Sequence, residues 1–118
     1  MKVFLLIGLF SMFLEASHEM EILYMKSGCS SCHGIYAEGI GATPRLQGKP
    51  ESLLKERLQN LKAGKTRSAF GTIMVSFAQA LSDEQIEKMA HWLAHLKKME
   101  PDEKYELEYY DNTGDGAS

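Results

Sequence analysis

Two cysteines and a histidine fall within five positions, Cys29-Ser-Ser-Cys32-His33, in a chain of 118 residues with no other cysteine. Thiols spaced this way serve a redox disulfide, half of a zinc site, or a pair of covalent anchors, and each use makes a different demand on the rest of the fold. A thioredoxin-like centre needs a preceding strand in a βαβ unit, and the flanking sequence offers none. A structural zinc ion needs two more ligands, for which His18, His91 and His95 are the remaining histidines. A plain disulfide leaves His33 without a purpose.

Lys2 followed by the apolar run 3–14 has the form of an export leader, and twelve residues are too few to span a bilayer. A leader over residues 1–17, with Ala16 a candidate for its last residue, implies a periplasmic protein; if uncleaved, it implies a membrane-tethered one. Residues 18–99 then form the folded domain and residues 100–118 a tail. The tail holds seven acids against one lysine, composition that predicts disorder, although Tyr105, Leu107 and Tyr109 alternate with Glu106 and Glu108 as in a strand. The 83 residues from 17 to 99 are few enough that side-chain packing alone supplies only marginal stability. Something more is expected to complete the core.

The pattern inside that span predicts an all-α fold with about three helices. The first runs over about 19–27, with Ile22, Leu23 and Tyr24 as its apolar contacts, and stops at Gly28. A second starts at Pro50, carries Leu53, Leu54, Leu58 and Leu61 on one face, and closes at Gly64. Ser82 and Gln85 form a capping box for the third, whose buried stripe is Ile86, Met89, Ala90, Leu93 and Leu96, with Pro101 marking its end. Between the last two, residues 65–81 (KTRSAFGTIMVSFAQAL) read as a loop. Phe70, Ile73, Met74, Val75 and Phe77 make it too apolar for a connection in water, so it needs a partner.

Cys29-Ser-Ser-Cys32-His33 matches the c-type haem attachment signature, in which two thiols add to the haem vinyl groups and the next side chain binds iron. One covalent haem c accounts for both the missing core and the wet loop, because it is a large, flat, apolar body. From about residue 21 to 96 the chain resembles the small bacterial monohaem class I c-type cytochromes. The likeness rests on CSSCHG, on TPRLQGKP at 43–50 and on MVSFAQALSDEQI at 74–86, in that order. Where that family often begins its first helix with a glycine packed on the last helix, this chain has Met20.

The resemblance implies thioether links at Cys29 and Cys32 and iron ligation by His33, whose other ring nitrogen meets the Pro44 carbonyl. It implies Met74 as the second axial ligand, seven residues before Leu81. Of the other methionines, Met89 belongs to the third helix's stripe, Met20 and Met25 lie toward the cysteines, and Met12 and Met99 lie in the leader and near the tail. Such a protein carries single electrons between redox partners, a membrane oxidase or dehydrogenase among them, and is not an enzyme. A haem sensor or peroxidase-like enzyme with a labile Met74 is the alternative, and a colourless disulfide module a third.

His91 and His95, four apart, have the spacing to pin a metal but point away from the Met89/Leu93 stripe and read as surface residues. Trp92 flanks the stripe and reads as core, with Tyr24 as its neighbour. Arg45, Lys49, Lys55, Arg57, Lys62, Lys65 and Arg67 crowd the middle of the chain against Glu51 and Glu56. Nucleic acid is a poor partner for a basic stretch on an exported chain without interleaved aromatics. A docking surface for an acidic redox partner, with which the acidic tail competes, and a solvated helix face with one cation near the haem propionates both fit.

Overall fold

The structure, a computed structural model, describes residues 15–96. The apolar run 3–14 and the acidic tail lie outside the described residues. Five helices and no strand occur among those described: α1 over 15–26, α2 Cys29–His33, α3 Glu51–Lys62, α4 Gly71–Gln79 and α5 Asp83–His95. The fold is all-α. No helix among the described residues is long and apolar enough to cross a membrane.

The last helix begins where local chemistry dictates. Ser82 Oγ accepts from the Gln85 amide at 3.1 Å while Gln85 Oε1 accepts from the Ser82 amide at 2.9 Å, so two first-turn donors are satisfied reciprocally. Ile86, Met89, Ala90 and Leu93 then recur at helical spacing and are all buried, whereas Leu96, just past the helix, is half-buried. Met89, Ala90 and Leu93 pack with Met20 and Tyr24 of α1, Leu54 of α3 and Ala37 into one core cluster. Tyr24 and Trp92 sit with ring centroids 5.3 Å apart and planes tilted by 52°, the offset geometry that aromatic quadrupoles favour. Met20 stands 2 % exposed in the α1–α5 contact.

Two expectations change. The first helix already covers residues 15–18, and it turns Ile22 outward while Met20 and Tyr24, four apart, face the core. The stretch 65–81 is not a loop throughout, because residues 71–79 form α4. Its helical period was hard to read for a physical reason: Thr72, Ile73 and Val75 are β-branched, the helix opens on glycine, and no side chain caps it. α3 packs against both α4 and α5, and Lys62 at its end reaches the turn between them, donating to the Leu81 carbonyl at 2.8 Å and to Asp83 at 3.1 Å.

The segment 34–49 has no regular structure and is ordered around Ala37. That residue is fully buried with φ 54, a left-handed conformation costing a non-glycine residue about 1–2 kcal/mol. Three hydrogen bonds offset the cost: its amide donates to Gly34, and its carbonyl accepts from Leu46 at 2.8 Å and Gln47 at 3.0 Å. Gln47, 2 % exposed, adds a side-chain bond to the Tyr36 carbonyl, and the Gly48 amide ties the segment to the Leu93 carbonyl of α5.

Candidate functional site

α2 is a five-residue turn that brings Cys29, Cys32 and His33 together at the end of α1. Gly28 makes the corner between the two helices with φ 80, and a Cβ there would lie 3.6 Å from Phe77 Cε1. That distance is ordinary van der Waals contact, so what calls for glycine at 28 is the left-handed backbone, and Phe77 of α4 lies close by. Both thiols are free, Cys29 half-buried against the core and Cys32 exposed. Burial pushes the Cys29 thiol pKa up, with a smaller opposing backbone hydrogen bond. A redox-active thiol has the reverse, a lowered pKa, and burial of Cys29 gives it no such activation.

His33 is 4 % exposed, and its Nδ1 lies 2.8 Å from the Pro44 carbonyl. A carbonyl only accepts, so Nδ1 carries the proton, and in the neutral ring the lone pair is on Nε2. Burial lowers the pKa of His33, partly opposed by the Pro44 bond, which keeps the ring in that neutral, ligating form. Pro44 is brought there by a tight turn of the 34–49 segment. The Gly39 amide donates to the His33 carbonyl at 2.7 Å, and with φ +83 a Cβ on Gly39 would sit 2.8 Å from both the Arg45 nitrogen and the Thr43 oxygen. From the other side Tyr24 Oη donates to the Gly34 carbonyl at 2.7 Å, fixing the end of α2 to α1.

α4 carries Met74, half-buried, one turn before Phe77. Phe70, Ile73 and Phe77 remain 78, 63 and 39 % exposed, and Ile35 and Ile40 in the segment that holds Pro44 are each about half exposed. Of the described methionines Met20 and Met89 are committed to the core, while Met25 is 45 % exposed on α1. Patterns within the sequence did not single out Arg57 on α3, whose Nε is buried with no hydrogen-bond partner among the described residues. The basic stretch is partly neutralised: Lys55 pairs with Glu87 at 2.7 Å and Lys62 with Asp83 at 3.1 Å.

The family model for cytochrome c matches residues 21–97. Among curated proteins, the chain is 30 % identical over 79 residues to cytochrome c-554(547) of Halothiobacillus neapolitanus, covering 60 % of this chain and 87 % of that one. It is 26 % identical over 98 residues to cytochrome c-553 of Helicobacter pylori, covering 81 % and 98 % respectively. A thiosulfate dehydrogenase electron acceptor of Stutzerimonas stutzeri is 29 % identical over 73 residues, which are 61 % of this chain but 34 % of that longer protein.

The residues present fit the cofactor this family holds. Two free cysteines stand at the attachment spacing, a neutral histidine keeps a lone pair on Nε2, and an exposed apolar helix face lies beside the turn. The orphaned Arg57 donor on the helix behind α4 is one that an anionic group such as a propionate satisfies. This chain belongs to the cytochrome c family: it is an electron-transfer protein with covalently bound haem c, and Cys29 and Cys32 are its two cysteines at the spacing that attachment uses.

Proposed function

We propose that the chain is an exported carrier of single electrons whose haem is held by thioethers at Cys29 and Cys32 and by His33 and Met74 as axial ligands. Haem c, when bound, supplies the one-electron iron couple. The chain's own residues do the rest. Pro44 holds the His33 proton on Nδ1 and so orients Nε2; Phe70, Ile73 and Phe77 exclude water; Arg57 compensates negative charge. The observation that carries the reading is the placement of Met74 on α4, a helix whose apolar face is exposed and whose Phe77 lies near Gly28 at the start of the cysteine turn. A thioether raises the potential and closes the second axial position, which favours outer-sphere transfer over ligand binding.

Lys65 and Arg67, exposed just before α4, give a redox partner with an acidic face a place to dock, and the matched Lys55 and Lys62 contribute less. The donor or acceptor of that kind is a periplasmic or membrane redox protein; the Stutzerimonas relative, named as an electron acceptor for thiosulfate dehydrogenase, supports such a place. The leader over residues 1–17 sends the chain to the periplasm.

Optical spectra of the Met74→Ala protein test the ligation. The oxidised wild type shows the far-red sulfur-to-iron band and the variant lacks it, with a potential lower by on the order of 100 mV, a fraction of the range of about 0.8 V that axial ligands command. An unchanged band and potential reject Met74. Carbon monoxide binding by the reduced wild type would favour a sensor or peroxidase role instead.

A further inference from the structure

Where the first turn of α3 meets the last turns of α5, Glu51, His91 and His95 converge, and none of them belongs to the haem site. We propose that these three side chains bind one divalent transition-metal ion of the zinc class, with solvent completing its coordination. One donor atom from each lies within 4.8 Å of the other two. Glu51 Oε2 and His91 Nδ1 are 3.0 Å apart, close to the roughly 3.3 Å that separates two donors bound at about 2.0–2.1 Å to one tetrahedral ion.

The second imidazole is already oriented for the task. His95 Nδ1 donates to the His91 carbonyl at 2.7 Å, which fixes its tautomer and leaves Nε2 as the ligating atom, the arrangement ligand histidines adopt. The two rings lie 4.2 Å apart because residues four apart share one face of a helix. Among the described residues, Lys88 pairs with Glu84 at 3.1 Å and Lys55 with Glu87 at 2.7 Å, so these two ammonium groups are matched by carboxylates. All three ligand side chains are solvent-accessible, which makes the ion exchangeable. Once bound, it pins the start of α3 to the end of α5.

A simple Glu51–His91 ion pair explains one edge of this triangle and assigns nothing to His95. Calorimetric titration with zinc chloride of the full-length, haem-loaded chain, freed of metal by chelator, separates the two. The expected result is one ion per chain, weakened on the order of tenfold or more by His95→Gln and by Glu51→Gln, and lost in the doubly substituted His91→Gln/His95→Gln protein. Unchanged haem spectra and thermal midpoints without zinc verify that these exposed substitutions leave the fold intact. Absence of binding up to about 1 mM zinc overturns the proposal. So does undiminished binding by the His95→Gln protein, which would leave only an ion pair, or by the double variant, which would move the ion elsewhere, such as to His18 and Glu21, 3.6 Å apart on α1.

Discussion

Along α5 the apolar residues Ile86, Met89, Ala90 and Leu93 are no more than 3 % exposed, whereas Phe70 just before α4 and Ile73 and Phe77 within it remain 78, 63 and 39 % exposed. Both helices carry a stripe at the same spacing. The stripe of α5 is covered by side chains of α1 and α3, while α4 buries only Ala78, with Leu81 just beyond it, and presents its larger residues outward. Burying one Phe or Ile is worth about 1.5–3 kcal/mol, so leaving three of them wet is a cost that a haem-binding chain recovers only with its cofactor. One half of the molecule is therefore finished by polypeptide, and on the proposed reading the other is finished by haem.

Preventing haem attachment separates these halves most widely. In a Cys29→Ser/Cys32→Ser protein stripped of haem, amide hydrogens of α4 are expected to exchange at least about 100-fold faster than in the loaded wild type, a local loss of roughly 2.7 kcal/mol, with a smaller change in α5. Equal loss in both helices, measured by hydrogen exchange, would break the comparison.

A pair of truncations sharpens it. Leu93→Ala opens a cavity in the shared core and should cost about 2–5 kcal/mol whether or not haem is present. Ile73→Ala should be nearly neutral in the haem-free chain, within about 0.5 kcal/mol as for an exposed site, and should cost about 1 kcal/mol or more in the loaded one. Denaturant titrations of both variants in both states give the four numbers. An Ile73→Ala cost that ignores haem would mean that α4 packs on something else.

Tyr24 joins the two halves, since its ring lies in the α5 core and its hydroxyl holds the end of α2. Tyr24→Phe leaves the Gly34 carbonyl without that donor and should cost about 1–2 kcal/mol at neutral pH. Burial above all, with Cys29 and Glu38 adding, raises the phenol's pKa above its ordinary value. The folded state thus keeps a proton that the unfolded state releases. The resulting stabilisation is complete below a pH of about 10 and is lost as the pH rises further. The wild type should therefore lose stability above pH 10 more steeply than Tyr24→Phe, a difference read directly from urea midpoints across that range.

The two halves were not equally legible in the sequence. α5 announced itself because its cap is local, Ser82 with Gln85, and because a stripe facing other side chains keeps strict helical spacing. α3 was legible from Pro50 to Gly64 for the same reason, although only Leu54 of its four leucines is fully buried. In α4 the larger apolar residues are exposed rather than packed on other side chains, and β-branched residues obscure the helix. The cysteine turn was legible as a motif, but the approach of Pro44 to His33, eleven residues apart through an irregular segment, came from family likeness rather than from residue pattern. Arg57 and the meeting of Glu51 with His91, forty positions apart, depend on helix packing that no local pattern encodes.

The smallest effect is expected where one side chain supports both halves at once. Lys62 Nζ donates to the Leu81 carbonyl at the end of the α4 turn and to Asp83 in the first turn of α5. Its side chain is about one-third exposed and that of Asp83 almost fully so, which screens the ion pair to between about 0 and 1 kcal/mol. Lys62→Met keeps most of the aliphatic stem and removes the charge, so it isolates the two hydrogen bonds. A loss of about 1 kcal/mol is expected, screened only in part by added salt, because the bond to Leu81 is to a backbone carbonyl and that to Asp83 is ionic. Asp83→Asn should remove only the ionic share. If Lys62→Met and Asp83→Asn cost the same and both effects vanish in high salt, the Leu81 bond contributes nothing. The α4–α5 corner would then be held by packing of Leu81 alone.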